Sequence, residues 1–184
     1  MAHLVKQKKS KFARSLYELV MVSFEGRKVL LDTNLLLLLL IGSINRRLLS
    51  TNKRVGRYSE NEFLLLNRHL SDAASLLTTQ HINSQTSDLG AGSLHGIYRT
   101  MFLRLLRNIH VHDVGAISTI KADEMTQPIL SFDTDILDEL GVADAGLINA
   151  AIESKGILFT DDLPLYLRAQ RHGIDAVNFS HLLT

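Results

Sequence analysis

The chain has 184 residues, 46% of them apolar and 21% charged, which is the composition of one globular domain with a sizeable core. It contains no cysteine, so disulfides, thiolate zinc sites and cysteine nucleophiles are excluded. The formal net charge of +1 hides an asymmetry, because two stretches are basic and free of acid while twelve acids face four bases from Asp113 onward. The first basic stretch holds Lys6, Lys8, Lys9, Lys11 and Arg14, and the second holds Arg46, Arg47, Lys53, Arg54 and Arg57. Such a distribution suits a polyanion partner and a cation site in one molecule, against the plainer reading of solvated loops.

Residues 1–9 read as a basic start without regular structure, followed by Phe12, Leu16, Leu19 and Val20 at helical spacing up to Gly26. Residues 1–26 are therefore set apart as an arm and helix, and 27–184 form the main domain. Val29, Leu30 and Leu31 predict a strand buried on both faces, with Asp32 and Asn34 at its carboxyl end. The six leucines that follow predict a helix buried on all sides, too short to span a membrane. No signal-peptide pattern opens the chain, and a cytoplasmic protein with no membrane partner is expected.

Residues 42–58, polar and basic, read as a loop or flap. Ser59 and Glu62 form a capping box for a helix with Phe63, Leu66 and Leu70 on its apolar face. A strand over Ser75–Thr79 and a helix over Gln80–Leu89 follow, with a break at Gly90–Gly92. Leu94, Ile97, Met101 and Leu105 then mark an amphipathic helix. His110 and His112 would share a face on an extended segment, but no third ligand accompanies them.

Helices are predicted over Ile129–Leu140, from Asp144 to Ala151 and over Leu163–His172, where Pro164 is tolerated in the first turn. Strands are predicted at Ile157–Phe159 and around Val177 and Phe179. Strands alternating with helices predict an α/β protein, a three-layer α/β/α arrangement around a central parallel sheet.

Asp32 and Asp162 then follow strands, and Asp144 opens a helix, positions that can converge on one crevice of a parallel sheet. Three carboxylates in one crevice repel one another, and Mg²⁺ or Mn²⁺ suits such an all-oxygen site. A cation there supports hydrolysis at a phosphate. The plainer reading of Asp32 is a helix cap.

The stretches Leu30-Leu31-Asp32-Thr33-Asn34, Gly141-Val142-Ala143-Asp144-Ala145 and Leu158-Phe159-Thr160-Asp161-Asp162-Leu163 resemble the PIN domains of the nuclease superfamily. The tail from Gly173 to Phe179 is similar to the family's closing strand, so the resemblance covers roughly residues 27–184. It implies a Mg²⁺- or Mn²⁺-dependent endoribonuclease, of a kind often found as the toxin of a toxin–antitoxin pair. Asp32, Asp144 and Asp162 are then the catalytic metal ligands, supported by Asn34 and Thr160, with Asp161 as a helper. RNA is the implied partner, held by Arg46, Arg47, Lys53, Arg54 and Arg57, and an antitoxin protein or a second copy of the chain are further partners to consider.

The sequence departs from the family at Gln85, which stands where a glutamate is usual. Glutamine can offer an oxygen to a hard cation but brings no charge and cannot act as a base. A second reading is thus a weakened fold that binds RNA or protein without cutting. A third, a phosphatase forming an aspartyl phosphate on Asp32, needs a second acid two residues later, where Asn34 stands.

Overall fold

The computed structural model describes residues 23–109 and 122–183. The readings for residues 1–22, including the N-terminal helix, and for His110 and His112 lie outside these. Five parallel strands form one sheet: β1 (Lys28–Leu31), β2 (Ser75–Thr79), β3 (Ala122–Met125), β4 (Ile157–Thr160) and β5 (Ala176–Asn178). Their order is β3-β2-β1-β4-β5, with helices on both faces, so the fold is the three-layer α/β/α arrangement. The chain steps outward from β1 to β3, then returns to lay β4 and β5 on the other side of β1. Between β1 and β4 the winding direction reverses, which opens a crevice at the strands' carboxyl ends.

Helix α1 (Thr33–Ile44) starts one residue after Asp32, and every side chain from Leu35 to Ile41 is buried. Its six leucines leave no polar face, so it lies wholly within the core. Burial of each such side chain contributes roughly 1.5–3 kcal/mol. Helix α2 (Glu60–Ser71) begins at the expected capping box, in which Ser59 and Glu62 satisfy each other's backbone N–H groups. Where α1 and α2 cross, Gly42 leaves room for the ring of Phe63; a Cβ there would lie 2.3 Å from it. Phe24, ahead of β1, also enters the core, edge-on to Phe159 at 4.9 Å.

Residues 42–58 are not a flap. Helix α1 runs on to Ile44, a 3-10 helix spans Arg46–Thr51, and Leu49, Asn52, Val55 and Tyr58 are buried. Asn52 ties the segment down, its amide donating to the Ser93 hydroxyl at 3.0 Å and its side-chain oxygen accepting from Arg54 N at 2.9 Å.

Helix α3 (Gln80–Ser93) runs through the two glycines expected to break it. Gly90 is instead the contact point for α4 (Gly96–Asn108): a Cβ on it would lie 2.0 Å from the Phe102 ring. The face expected of α4 is buried only in part: Leu94, just before its start, is buried and Leu105 packs against the core. Phe102 and Leu106 are buried, whereas Ile97 is 65% exposed and Met101 is exposed too.

Strand β3 had no apolar signature, being Ala-Asp-Glu-Met, and was absent from the sequence reading. Helix α5 (Thr134–Leu140) starts later than expected, because Asp133 caps it after a 3-10 turn at Ile129–Ser131. Helix α6 (Val142–Ser154) buries Leu147, Ile148 and Ala151 as expected. Helix α7 (Leu163–Arg171) carries Pro164 in its first turn, and Phe179 falls just beyond β5, in a 3-10 turn. Among the described residues, no helix is long and apolar enough to cross a membrane.

Candidate active site

Asp32 stands where β1 ends and α1 begins, and it is 2% exposed. The cap reading is right: its Oδ1 accepts the Leu35 N–H at 2.7 Å. Its Oδ2 does something a cap does not require, accepting both the Thr160 hydroxyl and the Asp161 N–H, the latter at 2.9 Å. The sheet register explains this convergence. Leu31 pairs with Phe159 and Thr160 with Asn178, so Asp32, Thr160 and Asn178 follow one another across β1, β4 and β5. Burial pushes the Asp32 carboxyl above its ordinary range, against its hydrogen bonds to Leu35, Thr160 and Asp161.

Asp162 repeats the arrangement one strand over. It caps α7 through Leu165 N at 2.9 Å, and its own N–H donates to the Thr160 hydroxyl oxygen at 2.9 Å. Thr160, buried and bonded to both, is the bridge between the two aspartates. Asp144 lies in the first turn of α6 and accepts no hydrogen bond from any described residue. Its carboxyl is pushed up to about 7, first by burial, then by the charges of Asp32 and Asp162. The charges of Asp32 and Asp162 thus both act on Asp144.

Their oxygens are the right chemistry for a hard divalent cation, which would relieve this mutual repulsion. Among the described residues, however, no three His, Asp or Glu form a ready-made ligand cluster. The carboxylates feel one another's charge without being drawn up as a closed set.

The supporting residues separate into different roles. Gln85, exposed on α3, accepts a hydrogen bond from the hydroxyl of Thr33, the neighbour of Asp32. Asn34 is half-buried and makes no hydrogen bond to a described residue. The Asp161 carboxylate is occupied: it accepts from the Tyr58 hydroxyl at 2.7 Å and from Ser180, and pairs with Arg57 at 3.1 Å. Tyr58 and Ser180 were missed in the sequence, where nothing local distinguishes them. Their role comes only from chain segments distant in sequence meeting at Asp161.

The basic residues divide likewise. Arg46 pairs with Glu60 at 2.7 Å and lies over Phe63. Arg57 stacks on Tyr58; burial works against its charge, but Tyr58, Asp161 and Asp32 outweigh it and hold the guanidinium above its ordinary range. Arg47, Lys53 and Arg54 are exposed, with no ion pair to a described residue. Lys53 and Arg54 border a cleft of about 370 Å³ against Asp88, Leu89, Gly92 and Ser93 of α3.

No protein-family model matches the sequence, and no curated protein does. Among solved structures, one similar chain is described as a domain of a functionally unknown protein from Methanocaldococcus jannaschii DSM 2661. It is 21% identical, with 83% of this chain and 91% of that one covered, at a TM-score of 0.47. No function comes to this chain from it.

Proposed function

We propose that the protein is a divalent-metal-dependent endoribonuclease of the PIN type. The observation that carries the reading is the placement of Asp32, Asp144 and Asp162 at the starts of α1, α6 and α7, where burial and then the charges of Asp32 and Asp162 raise Asp144. Asp32, Asp144 and Asp162 would hold Mg²⁺ or Mn²⁺. The cation would supply polarisation of a phosphoryl oxygen and activation of water. The chain's own contribution is orientation. Thr160 and the Asp161 N–H fix Asp32, the α7 cap fixes Asp162, and the Asp144 oxygens accept no hydrogen bond from a described residue. Arg47, Lys53 and Arg54, which pair with no acid among the described residues, would supply positive charge for an RNA backbone.

Two alternatives are weighed against this. An aspartyl-phosphate phosphatase needs a second acid two residues after its nucleophile, and Asn34 occupies that position. A fold that binds RNA or protein without cutting is favoured by one observation, the neutral Gln85 whose oxygen is already engaged by Thr33. A cytoplasmic location, an antitoxin partner and a homodimer belong to the same proposal and have no observation of their own.

The deciding experiment is Mn²⁺-dependent cleavage of a mixed RNA substrate by the parent, Asp32→Asn and Asp162→Asn. Cleavage by the parent that both substitutions abolish is the expected result. Binding without cleavage by all three proteins would select the non-cutting reading.

A further inference from the structure

Asp161 neighbours Asp162 in sequence but is held in another way. Its N–H donates to Asp32 Oδ2 at 2.9 Å, while its carboxylate points back into the protein, the side chain only 5% exposed. There Oδ2 accepts the Tyr58 hydroxyl at 2.7 Å and faces Arg57 at 3.1 Å, and Oδ1 accepts the Ser180 hydroxyl. Tyr58 is itself fixed. It is buried, its ring meets Phe179 edge-on at 6.2 Å, and its oxygen accepts from Arg57 at 2.6 Å. Buried and hydrogen-bonded in this way, the phenol remains a proton donor throughout the working range of a protein.

We propose that Tyr58 is a positioning residue of the carboxylate centre: it clamps Asp161 so that the Asp161 N–H is aimed at Asp32. Three groups from two distant chain segments hold one carboxylate, which leaves the Asp161 peptide a single orientation. That orientation completes the hydrogen bonds of Asp32, and outer partners of this kind tune how firmly a ligand residue holds a cation. The consequence for cation binding rests on the proposed metal-dependent function; the clamp itself does not. A tether serving only the fold would act on overall stability and would leave Asp32 indifferent to Tyr58.

Tyr58→Phe separates the two, because the ring stays packed on Phe179 and only the hydroxyl is lost. Amide hydrogen exchange is read at Asp161 and at Leu35, whose N–H groups bond the two different oxygens of Asp32. Loss of the clamp should speed exchange at Asp161 roughly tenfold and leave Leu35 within about twofold. Equal changes at both amides, or none at Asp161, overturn the proposal. Titration of Mn²⁺ alone should show affinity about tenfold weaker in the variant than in the parent. Equal affinity would overturn the link to cation binding. A parent that binds no Mn²⁺ would instead remove the metal-dependent reading, and the two amides would still decide whether Tyr58 is a clamp.

Discussion

The hydroxyl of Thr33 donates to the side-chain oxygen of Gln85, joining α1 to α3 one residue beyond Asp32. The position where the sequence departs from the pattern it resembles is therefore joined to the residue that follows Asp32. Gln85→Glu keeps the shape and the acceptor for Thr33 while adding a charge. Because Gln85 is exposed, the metal-free protein should change by no more than about 0.5 kcal/mol. Mn²⁺ should raise the melting temperature more in the variant, since added charge tightens binding to the native state. Superimposable titrations of the two proteins would place Gln85 outside the site.

Asp144 gives the protein a pH signature. Its native pKa of about 7 lies above the unfolded value of about 3.9, so the native state binds more protons between them. The resulting stability is fully present below the unfolded pKa and is lost as pH rises through about 7. The metal-free parent should therefore melt at progressively lower temperature between about pH 4 and pH 7 relative to Asp144→Asn, which cannot ionise. Calorimetric scans of both proteins across that range check the difference. A constant gap between them would show that neither burial nor the neighbouring charges raise Asp144.

Charge reversal should sort the basic residues. Arg47, Lys53 and Arg54 have no ion pair to a described residue, while Arg46 and Arg57 are held by Glu60 and Asp161. Reversal of each phosphate-contacting residue should lower the slope of log affinity against log salt by about 1. Arg46→Glu should change the slope less than Lys53→Glu or Arg54→Glu, measured by fluorescence anisotropy on a labelled RNA. Equal slopes for all the variants would show that this surface is not the RNA path.

The contact between Gly90 and Phe102 predicts a stability effect independent of function. A methyl group at Gly90 would stand 2.0 Å from the ring, so Gly90→Ala should cost about 1–3 kcal/mol in spite of alanine's better helix propensity. Urea denaturation should show the loss, and combining it with Phe102→Leu should recover part of it. A stabilised Gly90→Ala would mean that α3 and α4 separate freely.

The sequence by itself determined whatever depends on neighbours within a few residues. The apolar run Val29–Leu31, the leucines of α1, the capping box of Ser59 and Glu62 and the proline at the start of α7 are local signals, and each formed as read. Three strand-end or helix-start aspartates were legible for the same reason. Parallel alternation brings such ends to one edge of the sheet. Tertiary structure decided the remainder. Residues 46–58 are polar enough to read as a loop, yet Asn52 finds partners on α3 and Tyr58 finds Asp161, so the segment is pinned. Gly90 reads as a helix breaker until Phe102 fills the space beside it, and β3 has no apolar pattern because it is an outer strand whose Asp123 and Glu124 side chains are exposed. The division of Asp161 and Asp162 into a residue held by Tyr58 and a candidate ligand was likewise invisible, since both are aspartates one residue apart. What separates them is Tyr58, 103 positions away in the chain, whose hydroxyl reaches one and not the other.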